Sequence, residues 1–423
     1  MAIDFGYLAA LARSDRDHTG GDPDPYPNLA WLRRESPVTR VPGPGGVGTA
    51  WFVTSYALAR DCLADPRLEM SAAPGEPGVP ASRLRADAVP VPHFLATNPP
   101  VHDAQRQAVA ASFSPRAVEK LREPAARYCH ELIDRFAGRG EADLLTEYAL
   151  LIPEHLTYEL FGVPRAQRLP EGRATTLSVA GALSEQPDGG PLTGELLDHL
   201  RQVLEYKRRQ PGDDLVTRLL AAMDENAALH AAYLLFATGQ LSTGPAIGAT
   251  IVRLLERPGL YAAVSRDPAG CRRAVDEALR FDSAVQSALP RRAREDLEIG
   301  GTRVTAGDIV LVSLAAANRD PGRFADPDRF DPGRAGGSHL AFGHGIHYCL
   351  GGPLARMEGE VALSVLVDRL PGLRPGGSAG RGEWALGPLL RGPATVLVRF
   401  DVGTAGPAHE VRPDGGRPSV HGD

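Results

Sequence analysis

Four cysteines, Cys62, Cys129, Cys271 and Cys349, are scattered along 423 residues with no CxxC pair, a spacing that argues against a disulfide framework or a zinc site. Only Cys349 has surroundings that could put a thiolate to use. It lies in His339-Leu-Ala-Phe342-Gly343-His344-Gly345-Ile346-His347-Tyr348-Cys349-Leu350-Gly351-Gly352-Pro353, just ahead of a helical run from Leu354 to Leu370. Glycines at 343, 345, 351 and 352 permit tight turns and let backbone approach a large flat ligand, while the helix start brings unpaired N–H groups and a positive dipole end beside the sulfur. That environment favours the thiolate. A glycine-rich loop alone is more often a turn around a buried cysteine. A second pair, Glu277 and Arg280, stands three residues apart on a helical pattern, where the two side chains share a face and can pair.

The ordered string Phe342, Gly343, Gly345, His347, Cys349 and Gly351 resembles the haem-binding loop of the cytochrome P450 family. The resemblance extends over roughly residues 25–400 and implies a mainly α fold with small β-sheets, a triangular helical prism around a buried haem b. It makes Cys349 the axial thiolate of the iron, which favours O–O cleavage. It makes Glu277 and Arg280 a structural ion pair, completed by Arg334 in Phe330-Asp331-Pro332-Gly333-Arg334. Buried propionates need cationic or N–H donors, and by resemblance these are His102, Arg106, Arg291 and His347, with Arg292 the alternative to Arg291.

One segment departs from the family pattern. The long helical run Ala228 to Glu256 should cross the open face of the haem, where the family commonly carries Ala-Gly, two residues of which the second is acidic, then Thr-Thr. Aligned on Pro258 at the helix end, this chain has Thr238-Gly239-Gln240-Leu241-Ser242-Thr243. An acid and an alcohol usually organise proton delivery, but Leu241 cannot relay a proton, which leaves Ser242 and Thr243 as the hydroxyls. Gly239 and the Gly244-Pro245 pair should locally open the helix and free carbonyls. Either solvent supplies the protons, with Leu241 a packing residue, or N–H and O–H groups of the substrate take part. The run from Gly239 to Gly244, with Ala288-Leu289-Pro290-Arg291, is similar to actinobacterial members that couple or oxidise cyclodipeptides. The usual proline after the ExxR helix is replaced by Phe281-Asp282-Ser283-Ala284.

The elements that must hold these residues are mostly helical. Apolar residues at three- and four-residue spacing predict helices over Ala104 to Phe113, Arg116 to Phe136, Leu145 to Phe161, Glu195 to Gln210, Ala228 to Glu256 and Pro268 to Phe281. Val38–Val41 and Trp51–Thr54, around a Pro/Gly-rich turn, read as a hairpin. Asp296 to Gly300 with Gly300-Gly301 reads as a second turn of β structure, and Ile309–Val312 as a buried strand. Residues 70–100, rich in Pro, Ala and Gly, read as a binding loop. Residues 1–20 and 401–423 read as a flexible start and a disordered tail, with one domain over 21–400. The pocket should be lined by residues 70–97 and 175–195, Phe236, Gln240, Ser242, Thr243, Val285, Gln286, Ser287, Leu289, Leu389 and Leu390, with Gln240, Gln286 and Ser287 its polar members.

A net charge of -6, mixed along the chain without runs of like charge, speaks against nucleic acid or an anionic membrane as a partner. No segment approaches a membrane span, and the N-terminus lacks the basic start and apolar core of a signal peptide, so a cytoplasmic monomer is expected. The reading is an oxidoreductase using dioxygen and electrons from a ferredoxin and its ferredoxin reductase, or a peroxide shunt, on a small secondary metabolite. An aromatic (Trp or Tyr) cyclodipeptide leads, through hydrogen abstraction and C–C or C–N coupling, or through hydroxylation. A monooxygenase hydroxylating a polyketide, terpenoid or other peptide intermediate is the alternative. Two other classes are a P450-like helper protein, which typically loses the cysteine, and a haem-thiolate catalyst of dehydration or nitration.

Overall fold

The computed structural model describes residues 24–43, 48–70, 94–95, 97–183, 190–267, 269–334, 337–376, 384–386 and 389–403. The expectations for residues 1–20, for most of the 70–100 loop and for 404–423 lie outside the described residues. The rest is mainly helical with small sheets, as the patterning predicts. No helix among the described residues is long and apolar enough to cross a membrane.

The long helix, Glu225–Leu255, is apolar on most of its circumference and buried along most of its length, the pattern of a helix enclosed by others. Asp224 starts it by accepting a hydrogen bond from the N–H of Ala227 at 2.9 Å, satisfying one of the orphan donors of the first turn. Around it pack Leu151–Phe161, Gly270–Asp282 and Gly352–Arg369, the last backed by Arg122–Phe136, and their buried faces join one apolar core.

Two predicted helices are divided. The run over Arg116 to Phe136 becomes Pro115–Glu119 and Arg122–Phe136, broken at Lys120 and Leu121. The run over Leu145 to Phe161 opens with a wide π turn, Leu145–Ala149, before the α-helix Leu151–Phe161. The long helix, by contrast, does not open: it continues through Gly239 and Gly244-Pro245. The physical reason is packing. A Cβ on Gly244 would stand 2.7 Å from the Leu150 side chain and 3.1 Å from the Ala149 carbonyl, so this glycine admits the π turn against the helix. Pro245 still lacks an N–H, which deprives the Leu241 carbonyl of its helical donor.

The main sheet has five strands in the order Val38–Pro42, Thr49–Val53, Ile309–Val312, Arg291–Ala293, Leu68–Met70. The hairpin pairs Val38 with Val53 and Pro42 with Thr49, and Ile309–Val312 runs parallel to its second strand. Leu297–Ile299 and Thr302–Val304 form the separate turn over Gly300-Gly301. Strand Arg291–Ala293 is held between Ile309–Val312 and Leu68–Met70, which fixes the direction in which Arg291 points.

Candidate active site

The cysteine loop is a series of short turns. The amide of Tyr348 donates to Gly345 O at 3.0 Å and that of Cys349 to Phe342 O at 2.8 Å. Gly343 and Gly345 have φ of 72° and 74°, a left-handed backbone that glycine adopts without cost. At Gly345 a Cβ would meet the Leu63 carbonyl at 2.5 Å. Cys349 is deep in the protein yet exposed, because its sulfur faces an internal cavity. Burial pushes the Cys349 thiol up; the N–H groups of Gly351 and Gly352 and the charges of Arg106 and Arg356 act the other way. The first turn of Gly352–Arg369 thus directs N–H groups at the sulfur.

The cavity has a volume of about 300 Å³. At one end four basic side chains gather. The rings of His102 and His347 meet edge to face, 4.4 Å between centroids. Arg106 donates to the Tyr348 carbonyl at 2.7 Å, and Arg291 to the Leu68 carbonyl at 3.2 Å. Arg291 is the inward residue of its strand and lines the cavity, while Arg292 turns to Glu69 at 2.9 Å. Burial lowers Arg291 to about 10, and burial with the Arg291, His102 and Arg106 charges lowers His347 to about 3. The Nε2 atoms of His102 and His347 and the Nε of Arg291 are buried without a hydrogen-bond partner. Asp103 lies 2.8 Å from His102 Nδ1, and among the described residues the cavity lining itself has one acid, Glu358. Orphaned buried donors beside a thiol suit a flat iron-bearing ligand with two carboxylates, so haem fits this cradle.

The ion-pair cluster forms as predicted. Arg280, 2% exposed, clasps Glu277 with two hydrogen bonds of 2.7 and 2.8 Å. Arg334 reaches the same carboxylate at 3.2 Å, and the amide of Asp331 donates to it at 2.9 Å. The remaining Arg280 donors reach the carbonyls of Asn318 and Pro327.

On the long helix, Gly239, Leu241, Ser242 and Thr243 line the cavity, and so do Val285, Ser287, Leu289, Leu389 and Leu390. Three expected members, Phe236, Gln240 and Gln286, do not. Phe236, Gln240 and Gly244 form an i, i+4 stripe on the far side of the helix. Phe236 packs edge-on against Tyr158 and Phe161, and Gln240 lies 2.9 Å from the Thr175 hydroxyl. Gln286 spends its amide on the carbonyls of Asp282 and Ser283, at 3.0 and 2.6 Å, closing the turn in which Ser283 takes φ 42° where a proline is usual. Of the 175–195 stretch, none of the described residues lines the cavity. Arg356 is tied to Asp276 at 2.9 Å and stacks on Phe342; Arg273 pairs with Asp267.

Phe94 and Leu95, in the expected 70–97 stretch, line the wall, whereas the sequence reading missed Thr157, Leu160 and Glu358. Glu358 follows Leu354 by one helical turn, a register that could have exposed it. Burial pushes its carboxyl up to about 8, so it is mostly protonated at neutral pH. A carboxyl raised above its unfolded value gives stability that is full at low pH and declines as pH climbs from about 4.5 to about 8. Glu358→Gln should therefore remove that decline, roughly 1.4 kcal/mol per pH unit at most within the window. Urea unfolding at both ends of the window checks this; equal pH slopes for the two proteins would refute it.

A family model described as Cytochrome P450 matches residues 271–371. The mycinamicin IV hydroxylase/epoxidase of Micromonospora griseorubida is 37% identical over 87% of this chain and 93% of its own length. The nocardicin C N-oxygenase of Nocardia uniformis subsp. tsuyamanensis is 35% identical over 92% and 100%. The solved structure of the tirandamycin C-bound P450 monooxygenase TamI superposes with a TM-score of 0.79 at 35% identity, over 89% of this chain and 98% of that one.

Proposed function

The chain belongs to the cytochrome P450 family, and from that premise we propose that it oxidises a compact, largely apolar secondary metabolite, by hydroxylation or a related oxygenation. It is a monooxygenase of secondary metabolism with haem b as cofactor and a redox partner as electron source. We take that partner to be a ferredoxin with its reductase, and residues 21–400 to act as one monomeric domain. The bound haem supplies dioxygen activation, which a thiolate ligand favours. Cys349 holds the iron, and His102, Arg106, Arg291 and His347 take the propionates. Glu277, Arg280 and Arg334 keep the loop in place. Ser242 and Thr243 have no hydrogen bond to protein among the described residues, so their hydroxyls are available to hold or pass a proton inside the cavity. Leu241 passes none, but its carbonyl, left without a donor by Pro245, can anchor a water or a substrate N–H.

The observation that carries the substrate class is the wall itself. Phe94, Leu160, Leu235, Val285, Leu289 and Leu389 dominate it, and two of its three expected polar members, Gln240 and Gln286, turn away. Among the described residues, the wall offers a cyclodipeptide's two amides hydroxyls such as Ser242 and Thr243 but no side-chain amide. The relatives' names, which include a mycinamicin hydroxylase, support an apolar polyketide. Loss of the acid at 241 favours a second reading, oxidative coupling of a Trp or Tyr cyclodipeptide, in which the substrate contributes its own N–H or O–H groups. Titrating the holoenzyme with macrolide aglycones and with aromatic cyclodipeptides discriminates the two. We expect a saturable Soret shift with an aglycone and a product heavier by one oxygen. Shifts confined to cyclodipeptides would overturn the first reading in favour of the second.

A further inference from the structure

Gln240 is 2% exposed and sits between two cavity-lining residues, yet its side chain leaves the cavity. Its amide oxygen lies 2.9 Å from Thr175 Oγ1, which lies 2.8 Å from Glu154 Oε2, while its amide nitrogen is buried without a partner. Glu154 is buried and accepts further bonds from the backbone N–H of Thr175 at 2.8 Å and of Gly172 at 2.9 Å. Those two N–H groups belong to the start of helix Arg173–Leu183, where orphan donors and the positive dipole end call for an anion. Glu154, from helix Leu151–Phe161, is therefore a cap supplied by a different helix. Burial still pushes its carboxyl up, against the pull of the Thr175 and Gly172 bonds.

Thr175 Oγ1 has one proton and faces two acceptors, Gln240 Oε1 and Glu154 Oε2, while Gln240 Nε2 is buried without a partner; a half-turn of the Gln240 amide resolves both, with Nε2 donating to Thr175 Oγ1 and Thr175 Oγ1 donating to Glu154. Both ends of this chain flank the cavity wall. Gln240 adjoins Gly239 and Leu241; Glu154 lies one turn before Thr157, which lines the cavity and whose Oγ1 would be 3.3 Å from a Cβ on Gly239. Apolar packing alone tolerates sliding; a directional chain does not.

We propose that Thr175 is a positioning residue that, through Gln240 and Glu154, locks helix Arg173–Leu183 onto the catalytic segment of the long helix and so sets the width of the substrate cavity. The proposal rests on the reading of that cavity as the substrate site. It assigns no chemistry to Thr175, which does not line the cavity.

The experiment compares Thr175→Val, which keeps the shape and removes the hydroxyl, with Thr175→Ser, which keeps the hydroxyl. Two azole probes are titrated against the Soret band of each holoenzyme: imidazole, which asks only for the iron, and 4-phenylimidazole, which also asks for the cavity. Thr175→Val should weaken phenylimidazole relative to imidazole by about tenfold, the scale of one buried hydrogen bond, and Thr175→Ser should restore the ratio. Hydrogen exchange of amides 172–178, read independently of haem, should speed up in Thr175→Val and Gln240→Leu alike. Gln240→Leu serves as the probe variant should Thr175→Val fail to fold. An unchanged azole ratio, or a Thr175→Ser as impaired as Thr175→Val, overturns the proposal. A wild-type protein whose Soret band ignores both azoles would instead overturn the reading of the cavity itself.

Discussion

Replacing Cys349 with alanine should abolish the haem-thiolate spectrum and reduce substrate oxidation to background while leaving the apoprotein folded. The expectation follows from where the side chain lies. Cys349 contributes surface to the cavity and not to the apolar core, so its loss in the apoprotein should cost no more than about 1 kcal/mol, the centre of the distribution for point substitutions. The electronic loss is of another order, because no other group at this position can act as an anionic sulfur ligand, and the imidazole of His347, two residues before it, is turned toward His102. The two effects separate when unfolding is measured with and without haem. Apo curves should coincide, whereas haem should stabilise the wild type far more than the variant, since a ligand's stabilisation grows with the logarithm of its concentration relative to its dissociation constant. A variant that retains the thiolate-type band of the reduced, CO-bound form would remove Cys349 from the site.

Why Cys349 was legible and other parts of the site were not comes down to range. The cysteine loop is local: glycine positions, histidine and cysteine lie within a few residues, and the turns they form involve mainly one another. Glu277 and Arg280 are also local, three residues apart on one helix. Arg291 and Arg292 were ambiguous because strand residues alternate faces, and nothing in the chain says which face is inward until Met70 and Val310 are seen on either side of Arg291. The long helix was harder still. A helix buried on nearly all sides carries no amphipathic signature, so the period of 3.6 could locate Gln240 and Phe236 on a stripe without saying that the stripe meets helices Leu151–Phe161 and Arg173–Leu183 instead of the cavity. Gly244-Pro245 reads as a break on propensity alone; tertiary packing against Leu150 decides otherwise.

Glu277→Ala should be the most destabilising single change in the molecule outside the apolar core, at about 3–5 kcal/mol, the range for removing one partner of a buried ion pair. The carboxylate holds two guanidinium groups and the Asp331 amide at once, so its removal leaves Arg280 and Arg334 charged, desolvated and facing each other. The consequence should travel to the haem side by a short path. Arg280 donates to the Asn318 carbonyl at 2.8 Å, and the Asn318 side chain accepts from the Leu340 amide at 2.6 Å, at the entrance of the cysteine loop. Two hydrogen bonds therefore separate the ion pair from the segment that presents Cys349. The variant should lose stability in urea and also release haem faster at urea concentrations where it is still folded, whereas a core truncation of equal cost, such as Leu132→Ala at a fully buried position of helix Arg122–Phe136, should lose stability alone. Haem release indistinguishable between these two variants would mean that the ion pair supports the fold in general and has no particular hold on the cysteine loop.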